Sequence, residues 1–395
     1  MRKVYLDHSA TMPLDPRILE AMLPYLRDIF GNPSSLHDWG EAPRQALEVA
    51  RVQVARLIGA QPQEMIFTGS ATEANNFAIK GLALAQQDKG KHILVSAVEH
   101  FSVLNAARTM GKLGFEVSQL PVDKHGLVYP EEVKRRLRQD TILVSVIHAN
   151  AEIGTIEPIA EIAKVVKETS AIFHTDAAAT AGAIPLNVAE LGVDALTLAA
   201  NQFYGPKGVG ALWLRRGVRI MPLLDGGIQE GGRRAGTENM AAIVGLGKAA
   251  ELAQQEMSAR QEHLMPLRDR LIQGVASRIE HSYLTGHPTG RLPGHASFCI
   301  EFIEGEAMLM LLDARGIAAS SGSSCTSRAL KASHVLTAIG LPPELAQGSL
   351  VFTLGQSNSR EDIDYMLEEL PPVVERLRQM SPLFAKFVKA QKGGK

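Results

Sequence analysis

Asp194-Ala-Leu-Thr-Leu-Ala-Ala-Asn-Gln-Phe-Tyr-Gly-Pro-Lys-Gly-Val-Gly-Ala-Leu-Trp-Leu214 runs from an apolar stretch through a polar corner and a glycine-rich reversal into a second apolar stretch. Asp194 to Leu198 reads as a buried strand and Val209 to Leu214 as the strand that returns. Gly205-Pro206-Lys207-Gly208 supplies the positions between them that are free to take φ > 0. In an α/β protein chemistry collects where such strands end.

With 395 residues, 45% of them hydrophobic, the chain is long for a single core, and two subdomains are expected. Lys+Arg 41 against Asp+Glu 42 leaves a net charge of −1, which removes the long-range electrostatic reason to expect nucleic acid as a partner. The longest apolar runs are strand-sized, and Met1-Arg-Lys-Val-Tyr-Leu-Asp7 goes straight into a strand pattern. Neither a signal peptide nor membrane contact is therefore expected. Two cysteines, Cys299 and Cys325, cannot build a disulfide framework, and a reducing cytoplasm is the expected location.

Further strands are predicted at Val4 to Asp7, Met65 to Thr68, His92 to Ser96, Ile142 to Val146 and Ala171 to Asp176. The second opens into Gly69-Ser-Ala-Thr-Glu-Ala-Asn-Asn76, where Ser70 and Glu73 have capping-box spacing. A helix starting there would offer free N–H groups suited to a phosphate, though many such turns bind nothing. The third delivers Glu99-His100 and the last ends on the carboxylate of Asp176. Phe30-Gly-Asn-Pro-Ser-Ser-Leu-His37 is by composition a turn, and Gly226 to Asn239 a glycine-dense loop before a long helix. Beyond about residue 258 the pattern changes to a charged helix, Arg260 to Arg278, and then to an α+β unit with strands at Ser297 to Phe302 and Ser349 to Leu354. Cys299 alternates with Phe298 and Ile300 inside a strand and reads as a buried, inert thiol. Cys325 lies in Ala318-Ala-Ser-Ser-Gly-Ser-Ser-Cys-Thr-Ser-Arg328, a small polar segment with Arg328 and Lys331 near it. Nucleophile, soft-metal ligand and solvated bystander are all open to it on this reading.

The run Phe203-Tyr-Gly-Pro-Lys-Gly-Val-Gly-Ala-Leu-Trp213 resembles the segment after the cofactor lysine in cysteine desulfurases of the NifS/IscS type, which are fold-type I pyridoxal-phosphate (PLP) enzymes of aminotransferase class V. The resemblance covers roughly Val4 to Leu383 and includes the Gly-Asn-Pro-Ser-Ser-x-His loop ending at His37. It implies that Ala71 and Thr72 hold the PLP phosphate, that His100 stacks on the ring and that Asp176 pairs with the pyridinium nitrogen. It also implies that Thr237, in the Gly-Gly-x-Gln-Glu-x-x-x-Arg-x-Gly-Thr pattern, reaches the phosphate of a second copy across a two-fold axis, and that Cys325 carries sulfur as a persulfide. The departures are as specific as the matches. Gln202 stands where the family has its Schiff-base lysine, and a carboxamide nitrogen is not a nucleophilic amine. Ala151, Ala179, Ala199 and Asn201 replace an Asn, a Gln, a Ser and a His of the anchoring shell. Val351 and Gln356 replace two arginines, the first of which binds the substrate carboxylate.

The expected fold is therefore α/β, of the fold-type I PLP-transferase kind: a mainly parallel, seven-stranded-type large domain sandwiched by helices (14–257) and a smaller α+β domain (1–13 and 258–383) carrying the Cys325 loop, followed by a disordered tail (384–395). The expected function is sulfur transfer or iron–sulfur cluster assembly, with Cys325 as persulfide carrier, fed by sulfide or another donor, or as cluster ligand, and without standard PLP-dependent desulfuration. PLP is compatible with the site only when not held as a covalent aldimine, and a transient 2Fe-2S cluster shared with a scaffold is a further expected group. Two alternatives stand beside this: a slow desulfurase with non-covalently bound PLP, converting L-cysteine to L-alanine and persulfide, and a structural partner of an active paralogue. Expected partners are a second copy of the chain and a scaffold protein of the IscU/NifU type.

Overall fold

The computed structural model describes residues 2–322 and 333–393. Twelve strands are found in that part of the chain: β1 (Val4–Tyr5), β2 (Met65–Thr68), β3 (His92–Ser96), β4 (Glu116–Leu120), β5 (Thr141–Ser145), β6 (Ile172–Asp176), β7 (Ala195–Ala199), β8 (Gly210–Leu214), β9 (Ser282–Leu284), β10 (His295–Ile300), β11 (Ile317–Ala318) and β12 (Ser349–Thr353). Seven of them form one sheet in the order β2-β8-β7-β6-β5-β3-β4, in which only β8 runs against the rest. Every residue of β3, β5 and β7 is buried, as expected for short apolar runs covered by helices on both faces.

The quoted stretch forms β7 and β8, with Thr68 of β2 and Ala199 of β7 both paired with Gly210. That glycine is required: a Cβ there would meet the Ser70 carbonyl carbon at 2.7 Å and the Leu198 carbonyl oxygen at 2.8 Å. The close approach brings the end of β2 beside the end of β7. From β2 the chain passes through Gly69 and Ser70 into helix Ala71–Asn76, which continues through a π turn at Phe77–Gly81 to Leu82–Gln86. Ser70 Oγ accepts from the Glu73 N–H at 3.1 Å, but the Glu73 carboxylate takes the N–H of Gly69, at 2.7 Å, so only half of the anticipated capping box forms.

Helix Met240–Arg278 is shared by both cores. Its first half packs in the large core with Leu47 and Val54 of helix Asp38–Leu57. Leu267, Leu271 and Val275 of its second half belong to a separate core with Phe298, Phe352 and Ile363. The boundary expected between 257 and 258 thus falls inside one unbroken helix. In the smaller unit β12-β10-β9 form an antiparallel sheet, and β1, from the chain's start, pairs in parallel with β11. Cys299, on β10, is fully buried, and burial pushes its thiol up to about 12.

One expectation is corrected. The tail read as disordered from residue 384 is a helix, Pro382–Gly393. Phe384 and Phe387, one turn apart, pack their rings 5.6 and 4.7 Å from that of Phe302, and the Arg378 guanidinium lies 5.6 Å from the Phe384 ring centre. The Lys- and Gly-rich composition of the last residues masked this i, i+3 aromatic pair. Among the described residues no helix is long and apolar enough to cross a membrane.

The loop 226–239 is fixed by two ion pairs. Glu230 receives both Nη atoms of the buried Arg51 at 2.8 Å and the N–H of Phe67 at 3.0 Å, while Arg234 Nε donates to Glu73 at 2.8 Å. Glu230→Gln, which strands the Arg51 guanidinium beside a neutral amide, is expected to lower stability by about 3 kcal/mol. The urea midpoint followed by tryptophan fluorescence measures this, and an unshifted midpoint refutes the ion pair as an anchor.

Candidate active site

The C-terminal ends of β2, β3, β5, β6 and β7 converge on a cavity of about 500 Å³. Ala71 and Thr72 reach it from the turn after β2, His100 from the turn after β3, Asp176 from the end of β6 and Gln202 from the corner after β7. The strand-end rule for α/β sheets thus collects these sequence-selected residues on one surface.

Asp176 is 4% exposed. Its Oδ1 accepts from the Ala178 N–H at 2.9 Å and its Oδ2 from Asn75 Nδ2 at 2.6 Å. Asn75 Nδ2 also donates to Ser102 Oγ at 2.8 Å, and that hydroxyl lies 2.7 Å from His100 Nδ1. The Ser102 backbone N–H donates to the same Nδ1 at 3.1 Å. A nitrogen that accepts these bonds carries no proton, so the network assigns the ring proton of His100 to Nε2.

Gln202 Nε2 donates to the Ser9 carbonyl at 2.9 Å, and the Met12 N–H donates to the Asn201 carbonyl at 3.0 Å. The corner after β7 is thereby fastened to the N-terminal segment. Lys207 is exposed in the turn beyond and does not line the cavity. Among the described residues no lysine or arginine lines it. Ala151, Ala179, Ala199, Asn201 and Val351 all do, so these departures fall with Gln202 on one cavity surface, whereas Gln356 lies outside it and bonds to Glu256. Thr237 is exposed on the loop and does not reach the cavity of its own chain. Cys325 lies outside the described residues; Gly322 and Ser333, on either side of that stretch, line the cavity. No group of three or more His, Cys, Asp or Glu is placed to hold a metal ion among the described residues.

Four carboxyl groups line the cavity: Asp7, Glu99, Glu152 and Asp176. Sequence reading selected only the last. Glu99 is fully buried; its Oε1 accepts from the Ile147 N–H at 2.6 Å, its Oε2 has no partner, and burial followed by the nearby Asp176 raises it well above the usual range. Burial pushes Glu152 up to about 7 and Asp7 to about 6. Nothing in the periodicity around Glu152 distinguishes it from a surface glutamate, because its burial comes from distant segments. Asn75 was open to detection, since it follows Ala71 by one helical turn and shares its face.

The residues present fit PLP in part. Asp176 retains lone pairs for a protonated ring nitrogen, the His100 ring is fixed in orientation, and the helical run from Ala71 to Gln86 begins at the cavity. They do not fit a covalent tether, because among the described residues no lysine lines the cavity.

Fold and cavity define a fold-type I α/β protein, and the chain belongs to the aminotransferase class-V family, whose profile matches residues 4–366. Within that family it is of the NifS/IscS cysteine desulfurase type. It is 52% identical over 381 residues to cysteine desulfurase IscS of Dictyoglomus turgidum, covering 96% of this chain and 97% of that one. It is 50% identical over 385 residues to cysteine desulfurase IscS of Methanosarcina thermophila, covering 98% and 95%. Among solved structures it superposes on a NifS-like protein with a TM-score of 0.90 and 35% identity, over 95% of this chain and all (100%) of the other. Against SspA in complex with cysteine the TM-score is 0.79 at 32% identity, over 90% of this chain and 100% of the other.

The raised carboxyls set a pH dependence. An unfolded glutamate loses its proton near 4.5 and folded Glu152 near 7, so within that window the folded state holds more protons and stability falls as pH rises, levelling off above it. Glu152→Gln is expected to remove roughly 2 kcal/mol of the stability lost between about pH 5 and 8. Thermal denaturation of both proteins across that range checks this, and parallel curves would reject it.

Proposed function

We propose that this chain is a sulfur-transfer protein of the desulfurase family that does not carry out standard PLP-dependent desulfuration. The observation that carries the reading is Gln202, an amide in the cavity bonded to the Ser9 carbonyl, with no lysine among the described lining residues. Bound PLP would supply an electron sink, held by Asp176 at the ring nitrogen, by His100 against the ring and by Ala71 and Thr72 at the phosphate. At position 202 the chain lacks the amine that tethers the coenzyme and moves protons on the substrate, and at position 351 the arginine that Val351 replaces. Loss of that charge-assisted contact costs about 2 to 5 kcal/mol of recognition for a free amino acid.

Sulfur then arrives already in the sulfane state. Cys325 thiolate attacks the outer sulfur of a donor persulfide, the donor's S–S bond breaks, and the donor leaves as a thiolate with no net oxidation. Sulfide alone does not serve as that donor, because making a persulfide from it requires a two-electron oxidant. Cys325 is alternatively a ligand to a nascent 2Fe-2S cluster on a scaffold of the IscU/NifU type.

A second copy of the chain is the other partner. Leu36, Ile228, Phe30 and Trp39 are 95, 89, 75 and 63% exposed, and the rings of Phe30 and Trp39 lie 5.2 Å apart. Apolar exposure of this kind marks an interaction surface, and Ile228 shares its loop with Thr237.

The retained Asp176 and His100 geometry favours one second reading, a slow desulfurase with non-covalently bound PLP. Borohydride reduction followed by denaturing gel filtration separates the possibilities. Coenzyme is expected to leave wild type and to stay on Gln202→Lys, and coenzyme retained by wild type overturns the proposal. Adding Val351→Arg to Gln202→Lys is expected to raise kcat/KM for L-cysteine about 100-fold. Cys325→Ser is expected to abolish uptake of sulfur from a low-molecular-weight persulfide, read by mass spectrometry, while alanine production by wild type at the rate of the double variant would sink the reading.

A further inference from the structure

A second cavity, of about 70 Å³, adjoins the first behind Gln202, and Ser9, Ala151, Ala179 and Gln202 line both. The two differ in charge. Among the described residues no Asp or Glu lines the smaller one, whose wall includes Leu264, Leu292 and Leu354. Arg260 also lines it, on a side chain that is 5% exposed. Arg260 Nη2 donates to Glu256 Oε2 at 2.9 Å, and the guanidinium carbon sits 4.9 Å from the centre of the Tyr204 ring. An aromatic face offsets the charge but does not accept the in-plane N–H groups. Nε and Nη1 have no hydrogen-bond partner among the described residues. His8, 1% exposed, lines the same cavity, and neither ring nitrogen makes a well-aligned hydrogen bond, its nearest polar neighbours being Asn358 and the Tyr5 backbone.

Buried donors are as a rule paired, and two under-bonded polar side chains far apart in the sequence here meet one cavity. Its size selects the ligand. One water-sized atom needs roughly 10–15 Å³ on this measure, so the space bounds the ligand at about five to seven heavy atoms. Its apolar walls also select, because they replace none of the hydration that a hard anion would surrender.

We propose that this cavity binds one small, weakly hydrated monoanion of the hydrosulfide class, held by Arg260 Nε and Nη1 and by a ring N–H of His8. Burial holds the His8 imidazole down at about 4, so near neutral pH it donates from one nitrogen and adds no second charge. Binding makes and breaks no covalent bond. The site stands on its own geometry whatever the sulfur donor of Cys325, and it places a store for reduced sulfur directly beside the main cavity.

Bromide is a probe of matching size, and halide and hydrosulfide are the two sources to separate. Line broadening of bromide by the full-length protein, followed by ⁸¹Br NMR at constant ionic strength, is expected for wild type and to weaken by about 10-fold or more in Arg260→Gln. Leu264→Phe, which fills the cavity and leaves the guanidinium in place, is expected to abolish the broadening and guards against a misfolded Arg260 variant. Sodium hydrosulfide is expected to reverse the broadening at lower concentration than sodium chloride. Equal broadening in wild type and both variants would mean an adventitious ion only and overturn the site, as would no broadening at all. Displacement by chloride at equal or lower concentration would overturn the hydrosulfide assignment.

Discussion

The hydrogen bond from Gln202 Nε2 to the Ser9 carbonyl, 2.9 Å long, governs both what the cavity holds and how it is built. An amide nitrogen has its lone pair drawn into the carbonyl, so it donates where an amine would attack. Having donated, it secures the corner after β7 to residues 9–12, with Met12 N–H on the Asn201 carbonyl and Asp15 N–H on the Tyr204 carbonyl adding to the seam. The same N-terminal segment carries Asp7 and Ser9 to the main cavity and His8 to the small one. One side chain at the end of one strand thus both removes a reactive nitrogen and stitches together the walls of two cavities.

That replacement is matched by the electrostatics around it. Four carboxyls and, among the described residues, no lysine or arginine face the main cavity, and three of the four are raised by burial. An amino-acid carboxylate entering such a space meets like charge or forces protons onto its neighbours. The cationic side chain buried nearby, Arg260, lines the smaller cavity instead. Among the described residues charge is partitioned across Gln202, with carboxyls on one side and the Arg260 guanidinium on the other.

Much of this was legible in the sequence because it depends on local pattern. Apolar runs buried on both faces announced β3, β5, β6 and β7, and the turn residues between 205 and 208 announced the reversal into β8. Residues at strand ends could be nominated because sheet topology brings strand ends together. Other features were not legible, because they depend on segments distant in sequence. Glu99 and Glu152 owe their raised affinity for protons to burial, which no spacing reports. The capping box was half right because Arg234, in a distant loop, holds the Glu73 carboxylate. The tail was misread because two phenylalanines outweighed the lysines and glycines around them once a third ring, Phe302, was available to pack against.

The pattern of what is kept and what is lost has a structural explanation. His100 is the N-cap of helix Phe101–Lys112, its Nδ1 taking the Ser102 N–H. Asp176 accepts from the Ala178 N–H and from the buried Asn75 amide, so removing it would leave the first, and one of the two N–H bonds of the second, without a partner. Ala71 opens a helix whose cap is Ser70. These residues answer to the fold whether or not a coenzyme is bound. The positions now occupied by Ala151, Ala179, Ala199 and Val351 face the cavity, where a longer polar side chain would find its partner in a ligand. Where no ligand is held, such a side chain would cost desolvation and gain nothing, and a small apolar residue would be the more stable choice. Retention of Asp176 and His100 therefore carries little information about chemistry, whereas Gln202, which the fold could replace with lysine at the cost of one hydrogen bond to Ser9, carries most of it.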